Sequence, residues 1–384
     1  MSVSLTPKRE VLIVDDDPFV TEALAKSLRK FRSKWNLQVV TSGREALEAL
    51  DSRPRDALIS DVRMPEMDGE ALLTEVQRRW PGVVRVVLTG EAKRETMRHL
   101  SAIAHQLLAK PVTAEAIFER VEAALAARDQ LVSPALRALV CQLGTLPTMP
   151  KTYAALLELS QDPEADLEVV AALVEQDPAV SACALRVVNS AYFGMPRRVE
   201  SIREAVRLLG LQPLLDVVLT VEVYPETSAH SVELQNQAAR RLVGLHRLAH
   251  VARQEPLAEL ASTAVVLCDL GRILLDQDEA RRAAIEQARA TAPSLCAAEA
   301  SVVGLDHAVV SAVLLGLWTM PPALIHAVAC HHQLSKTPPG SIEELVAAAV
   351  VLAEPDAAAR LPEVARRYLV ELPVIASIAH ELSS

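Results

Sequence analysis

Four aspartates, a threonine and a lysine are the residues of this chain best suited to chemistry: Asp15-Asp16-Asp17, Asp61, Thr89 and Lys110. Carboxylates gathered in one place repel one another unless a cation lies among them, and hard oxygen donors favour Mg²⁺. A lysine beside them adds a fixed positive charge. A threonine hydroxyl adds a hydrogen-bond donor. Such a set can stabilise a phosphoryl group carried on a carboxylate. Taken singly, the aspartate run reads equally well as a helix cap and Lys110 as surface charge. Their shared placement decides between the readings.

That placement follows from the elements between them. Val11-Leu12-Ile13-Val14, Leu37 to Val40, Ala57 to Ser60, Val84 to Leu88 and Gln106 to Ala109 read as strands. Helical segments run from Phe19 to Phe31, Arg44 to Leu50, Glu70 to Trp80 and about Thr113 to Arg128. Strands apolar on both faces, separated by amphipathic helices, predict a doubly wound parallel sheet of five strands. The aspartate run follows the first strand, Asp61 the third, Thr89 the fourth and Lys110 the fifth. In such a sheet these carboxyl ends converge on one crevice.

The stretches VLIVDDDP, ISDVRMPEMDG, VVLTG and LLAKPV occur in this order. Over residues 9 to 126 they resemble the response-regulator receiver family, CheY-like and flavodoxin-like in fold. The resemblance implies Asp61 as phosphoacceptor. It implies Mg²⁺ bound directly by Asp16, through water by Asp15, and also by Asp61 and the Arg63 backbone carbonyl. Thr89 and Lys110 would contact the phosphoryl oxygens. One position departs from the family: Leu107 stands where an aromatic often takes part in the switch. Arg63 and Glu91 flank the expected pocket with opposite charges and could pair across its mouth.

After Asp129 the grammar changes. Ser133-Pro134 and the stretch 144–150 are breaks, and no strand alternation follows. Asp177-Pro178 and Ser201-Ile202-Arg203-Glu204 read as helix starts, and Asn189 as a helix end. The expectation is an all-helical second domain.

Its phrase LCDLGR, residues 267–272, resembles the segment of HD-type metal hydrolases in which a histidine-aspartate pair holds a metal. Here Cys268 precedes Asp269. His307, His331 and His332 are the other ligand-like residues, and His246 or His250 would have to supply a first histidine. Thiolate binds zinc well. Against a metal centre, neighbouring side chains on a helix diverge by about 100°. His331 and His332 therefore share a target only under strain or at a helix end. No Gly-Tyr-Pro follows them.

LPTMPKTYAALLELSQDPEADLEVVAALVEQDPAVSACALRVVNSAYFG, SIREAVRLLGL, DHAVVSAVLLGLW and CHHQ together resemble the HDOD family, the HD-related output domain, over about residues 139 to 335. The resemblance implies a helical signalling module without metal. Cys268, Asp269, His307, His331 and His332 are then degenerate positions. Cys268 becomes a small buried residue, and Gly271 a place where helices approach closely.

The net charge of −10 and the lack of a basic recognition helix count against a nucleic-acid partner. Five scattered cysteines without a CxxC pair suit a reducing compartment. No apolar run is long enough to cross a bilayer, so a cytoplasmic protein without a membrane partner is expected. The expected organisation is a receiver at 8–128, a linker at 129–138, an HDOD domain at 139–338 and its helical extension at 339–384. The expected function is a phosphorelay response regulator. A sensor histidine kinase phosphorylates Asp61, with Mg²⁺ in the receiver and no cofactor in the HDOD domain. The output would act through downstream signalling proteins. The resemblance leaves room for a homodimer through the receiver. The alternative is an HD-superfamily phosphodiesterase acting on a cyclic dinucleotide.

Overall fold

A computed structural model describes residues 7–90, 100, 103–131, 133–142, 155–156, 159, 166–189, 197–210, 214, 229–354 and 357–383. Glu91, Ser190 and the stretch 144–150 lie outside them. The chain divides into two compact units. The first is chiefly Met1–Thr145, the second chiefly Leu146–Val188, Arg197–Leu315 and Met320–Ser384.

The first unit holds strands β1 (Arg9–Val14), β2 (Trp35–Val40), β3 (Ala57–Asp61), β4 (Val84–Thr89) and β5 (Gln106–Ala109). They form one sheet in the order β2-β1-β3-β4-β5, and every pairing is parallel. Val11 to Val14 and all of β4 are buried, as strands covered on both faces must be. Helices α1 (Pro18–Leu28), α2 (Gly43–Ser52) and α3 (Gly69–Arg79) start on side-chain caps from Asp17, Ser42 and Asp68. Each cap accepts a backbone N–H that the first turn leaves unpaired. The order of strands reverses between β1 and β3, and that is where a doubly wound sheet opens its crevice.

Two buried arginines fasten the far end of this sheet. Arg85 on β4 donates to the Cys141 carbonyl at 2.8 Å and to the Ile103 carbonyl at 2.5 Å. Arg128 donates to Asp56 at 2.7 Å. Carbonyl and carboxylate partners make such burial tolerable. Helix Pro134–Gln142 is held through the first of these contacts. The stretch expected as a linker, 129–138, thus carries the end of one helix and the start of the next.

Among the described residues of the second unit every regular element is a helix. At its centre lies helix Ile342–Leu352, in which every residue except Glu343 is buried. It packs against helices Ala229–Val251, Glu255–Leu267 and Pro322–Cys330. The starts read at Asp177 and Ser201 are present. Asp177 accepts from the Ala179 N–H at 3.0 Å, and Ser201 from the Glu204 N–H at 3.2 Å. Helix Pro178–Val188 stops just before Asn189. Among the described residues no single helix is long and apolar enough to cross a membrane.

Candidate functional site

The first site lies at the carboxyl ends of the strands. Val14 pairs with Ser60, Asp61 with Leu88, and Thr89 with Ala109. This register brings Asp15, Asp61, Thr89 and Lys110 to one level. Asp15 and Thr89 are buried, Asp61 is half-buried, and Asp16 and Asp17 are exposed. Lys110 Nζ donates to Asp15 Oδ2 at 2.7 Å and also to Asp61 Oδ1. Burial disfavours the charged lysine, yet the two carboxylates outweigh it and hold its pKa above the ordinary lysine value. The other oxygen of Asp61, Oδ2, accepts the Arg63 N–H at 2.7 Å. The Lys110 N–H donates to the Thr89 carbonyl at 2.7 Å, which ties the two strand ends together.

Gly69 lets the chain pass directly over Asp61. A Cβ there would stand 2.1 Å from the Asp61 carbonyl oxygen. The aspartate run divides its work: Asp17 Oδ1 caps α1 by accepting the Phe19 N–H at 2.8 Å, and Asp15 Oδ1 accepts the Asp17 N–H at 3.1 Å. The helix-cap reading therefore holds for Asp17 alone. Leu107 is half-buried and packs against the core of this unit. Two carboxylates close enough to share one ammonium, with a third at the rim, are oxygen donors of the kind a small divalent cation takes.

The second site is a buried polar cluster in the helical unit. Helix Pro322–Cys330 ends before the adjacent histidines, with His331 as its C-cap. This is the helix-end case in which neighbours need not diverge, and both turn toward His307. His307 Nε2 stands 3.3 Å from His331 Nε2, 3.0 Å from His332 Nε2 and 3.4 Å from Asp269 Oδ1. The opposite ring nitrogens are held in turn. His307 Nδ1 lies 2.6 Å from Glu299 Oε2, His331 Nδ1 2.6 Å from the Val328 carbonyl, and His332 Nδ1 3.8 Å from Glu354. Burial, with the neighbouring imidazoles, pushes His331 well below the usual histidine pKa. It also lowers His332, against the opposing carboxylate of Glu354.

Neither His246 nor His250 supplies a further group: His246 meets Ser262 at 3.2 Å, and His250 is exposed beside Glu255. Arg241 is there instead. Its Nη1 donates to Asp269 Oδ2 at 2.5 Å and to Cys268 Sγ at 3.2 Å. Burial alone would raise the Asp269 pKa. Arg241 first, then Arg272 and the imidazoles, outweigh this and hold the carboxyl well below its usual range. The Cys268 thiol, wholly buried and beside that carboxylate, is pushed up to about 12. It stays protonated and donates to the Val265 carbonyl at 3.0 Å. Gly271 acts as expected: a Cβ would stand 2.3 Å from the His307 carbonyl oxygen.

Sequence reasoning missed Arg241, Glu299 and Glu354. Glu299 had a visible signal, being a lone charge in the apolar helix LCAAEASVV.

Comparison with known proteins separates the chain at the same place. The model for the response regulator receiver domain matches residues 11–122, and that for the HDOD domain matches residues 146–334. An uncharacterized protein of Treponema pallidum is 28% identical over 204 residues, 51% of this chain and 39% of that protein. The transcriptional regulatory protein GlrR of Escherichia coli is 33% identical over 116 residues, 30% of this chain and 26% of that protein. The chain thus spans well under half the length of these curated relatives. The MmoQ response regulator of Methylococcus capsulatus shares the fold with a TM-score of 0.50 at 24% identity, covering 61% of this chain and 98% of that one. A Campylobacter jejuni virulence factor does so with a TM-score of 0.53 at 18% identity, covering 64% and 96%.

Proposed function

Because this chain is a response regulator that joins a receiver domain to an HDOD domain, we propose that a sensor histidine kinase phosphorylates it on Asp61 and that the phosphorylated receiver biases an HDOD output acting through protein contacts. The observation that carries this reading is the shared position of Lys110 Nζ on Asp15 and Asp61. The ammonium stands where charge develops when a carboxylate oxygen of Asp61 attacks phosphorus and the donor's leaving group departs. Preorganised positive charge is the largest common source of rate in such transfers. Asp15, Asp16, Asp61 and the Arg63 carbonyl would hold Mg²⁺, which would supply positive charge to neutralise the phosphoryl oxygens. Thr89 contributes its hydroxyl to one of those oxygens. Leu107 lacks the ring that an aromatic switch needs, so the signal passes by movement of Thr89 and its strand end. Downstream signalling proteins, rather than nucleic acid, are the partners that a net charge of −10 favours.

The experiment is labelling of the full chain by a small phosphodonor with Mg²⁺, read by intact mass. Wild type gains one phosphoryl group and Asp61→Asn gains none. Equal labelling of the two would overturn the assignment.

The convergence of Asp269, His307, His331 and His332 gives a phosphodiesterase reading one specific support. Two observations weigh against it. Arg241 already pairs with Asp269 within the cluster, and His307 and His331 are 1% and 0% exposed, which withholds two of the three imidazoles from a substrate. Hydrolysis of such a substrate by the full chain with added Mn²⁺ would reverse that judgement.

A further inference from the structure

His331 fixes the chemistry of the histidine cluster. Its Nδ1 lies 2.6 Å from a backbone carbonyl, which can only accept a hydrogen bond, so Nδ1 carries the proton. In the neutral ring Nε2 is then a bare lone pair, and it faces His307 Nε2 at 3.3 Å. His307 Nδ1 lies against Glu299 Oε2, an oxygen that also accepts the His307 N–H, and is a donor for the same reason. Its Nε2 in turn faces two imidazole nitrogens and a carboxylate oxygen. That oxygen, Asp269 Oδ1, is buried and makes no hydrogen bond. Arg241 has taken only Oδ2. With its proton on Nδ1, a neutral His307 leaves Nε2 a lone pair as well, so His307 Nε2, His331 Nε2 and Asp269 Oδ1 face one another as acceptors with no proton between them. A buried acceptor without a donor costs about 1–3 kcal/mol.

A metal ion removes that conflict. Two ligands of a tetrahedral zinc ion at about 2.0–2.1 Å stand roughly 3.3 Å apart. The separations from His307 Nε2 are 3.0, 3.3 and 3.4 Å. The outer nitrogens of two rings are held by a carboxylate and a carbonyl, the arrangement that orients metal-binding histidines and fixes their tautomer. We propose that the helical unit binds one transition-metal ion, Zn²⁺ by its donor set, between His307 Nε2, His331 Nε2, His332 Nε2 and Asp269 Oδ1. Imidazole and carboxylate donors select zinc-like ions over Mg²⁺. The site therefore differs in kind from the acidic pocket of the receiver. Arg241 stands in for a further ligand on the inner side and confines the centre to a single ion. Its role is to hold the ends of helices Pro322–Cys330 and His307–Leu317 together. This replaces the expectation of a domain without metal.

The test uses the full chain, stripped with chelator and titrated with Co²⁺ in excess Mg²⁺ so that the receiver is occupied. One equivalent of Co²⁺ should produce visible d–d bands, and Zn²⁺ should bleach them. His331→Gln and His332→Gln should lower Co²⁺ affinity by at least about 100-fold, whereas Asp16→Asn in the receiver should leave it unchanged. If a histidine variant fails to fold, the wild-type titration still decides. Wild-type protein that shows no bands and retains no Zn²⁺ after dialysis overturns the proposal, as do bands that persist in both folded histidine variants.

Discussion

In the acidic pocket, Asp15 and Asp61 share a lysine that is partly open to water, and Asp16 faces solvent. In the helical unit, Asp269 is gripped by Arg241, with both side chains less than a tenth exposed. Both places gather anions and both need a cation. The pocket uses lysine, a compact charge on a flexible stem, and an exposed third carboxylate through which an ion can exchange. The helical centre uses arginine, which cannot lose its proton in a protein and presents a rigid fork. A site built for a group that comes and goes keeps its charges near water. A site whose charges are permanent can be closed.

Three substitutions would break or sharpen that contrast. The largest effect is expected at Arg241. Arg241→Met in metal-stripped protein leaves Asp269 buried without its partner. Removing one member of such a pair costs about 3–5 kcal/mol. Denaturant unfolding of the helical unit should show it. A loss below about 1 kcal/mol would mean that Asp269 has found water or another donor, and the contrast would fail. The pocket comes next. Asp16→Ala removes an exposed carboxylate, and the fold should tolerate it. Phosphodonor labelling should nevertheless fall at least about 100-fold, because a bound cation contributes several kcal/mol to charge neutralisation. Initial labelling rates by intact mass would check it, and a rate within threefold of wild type would remove Asp16 from the metal set. The smallest effect is expected at the neighbouring aspartate. Asp17→Ala should lose about 0.5–2 kcal/mol of stability through the cap of α1 and label nearly as wild type. If Asp17→Ala lost labelling as Asp16→Ala is expected to, the division of the aspartate run would be wrong.

The two regions also differed in how far they could be read in advance. All five strands were found within a few residues, because a buried parallel strand writes itself as a continuous apolar run. Asp15, Asp61, Thr89 and Lys110 were legible because each stands directly at the end of such a run. The topology then does the gathering. The helical centre offers no such rule. Arg241 lies 27 residues before Cys268 on a helix whose facing side depends on packing, and nothing local distinguishes it from Arg240. The histidines His246 and His250 looked better by residue type and sit on the wrong turns. Side chains of neighbours diverge by about 100° only within a helix, and this helix ends at Cys330, before both histidines. Close approach of helices at Gly271 is legible from the glycine itself, yet the carbonyl it accommodates, that of His307, is given only by the fold.

The Arg241–Asp269 clamp also gives the chain a direction in mutational time. A histidine at position 268 would have to enter a site that is 0% exposed and already filled by the guanidinium. Overpacking of that kind costs about 1–3 kcal/mol. Loss of Arg241 first would strand Asp269, at about 3–5 kcal/mol. Against a total stability of about 5–15 kcal/mol for a domain, the first step costs part of the margin and the second most of a weak domain's, and the two together relieve each other. Substitutions elsewhere on the surface can accumulate one at a time, whereas a histidine-aspartate pair at this point is reached at least cost when positions 241 and 268 change together.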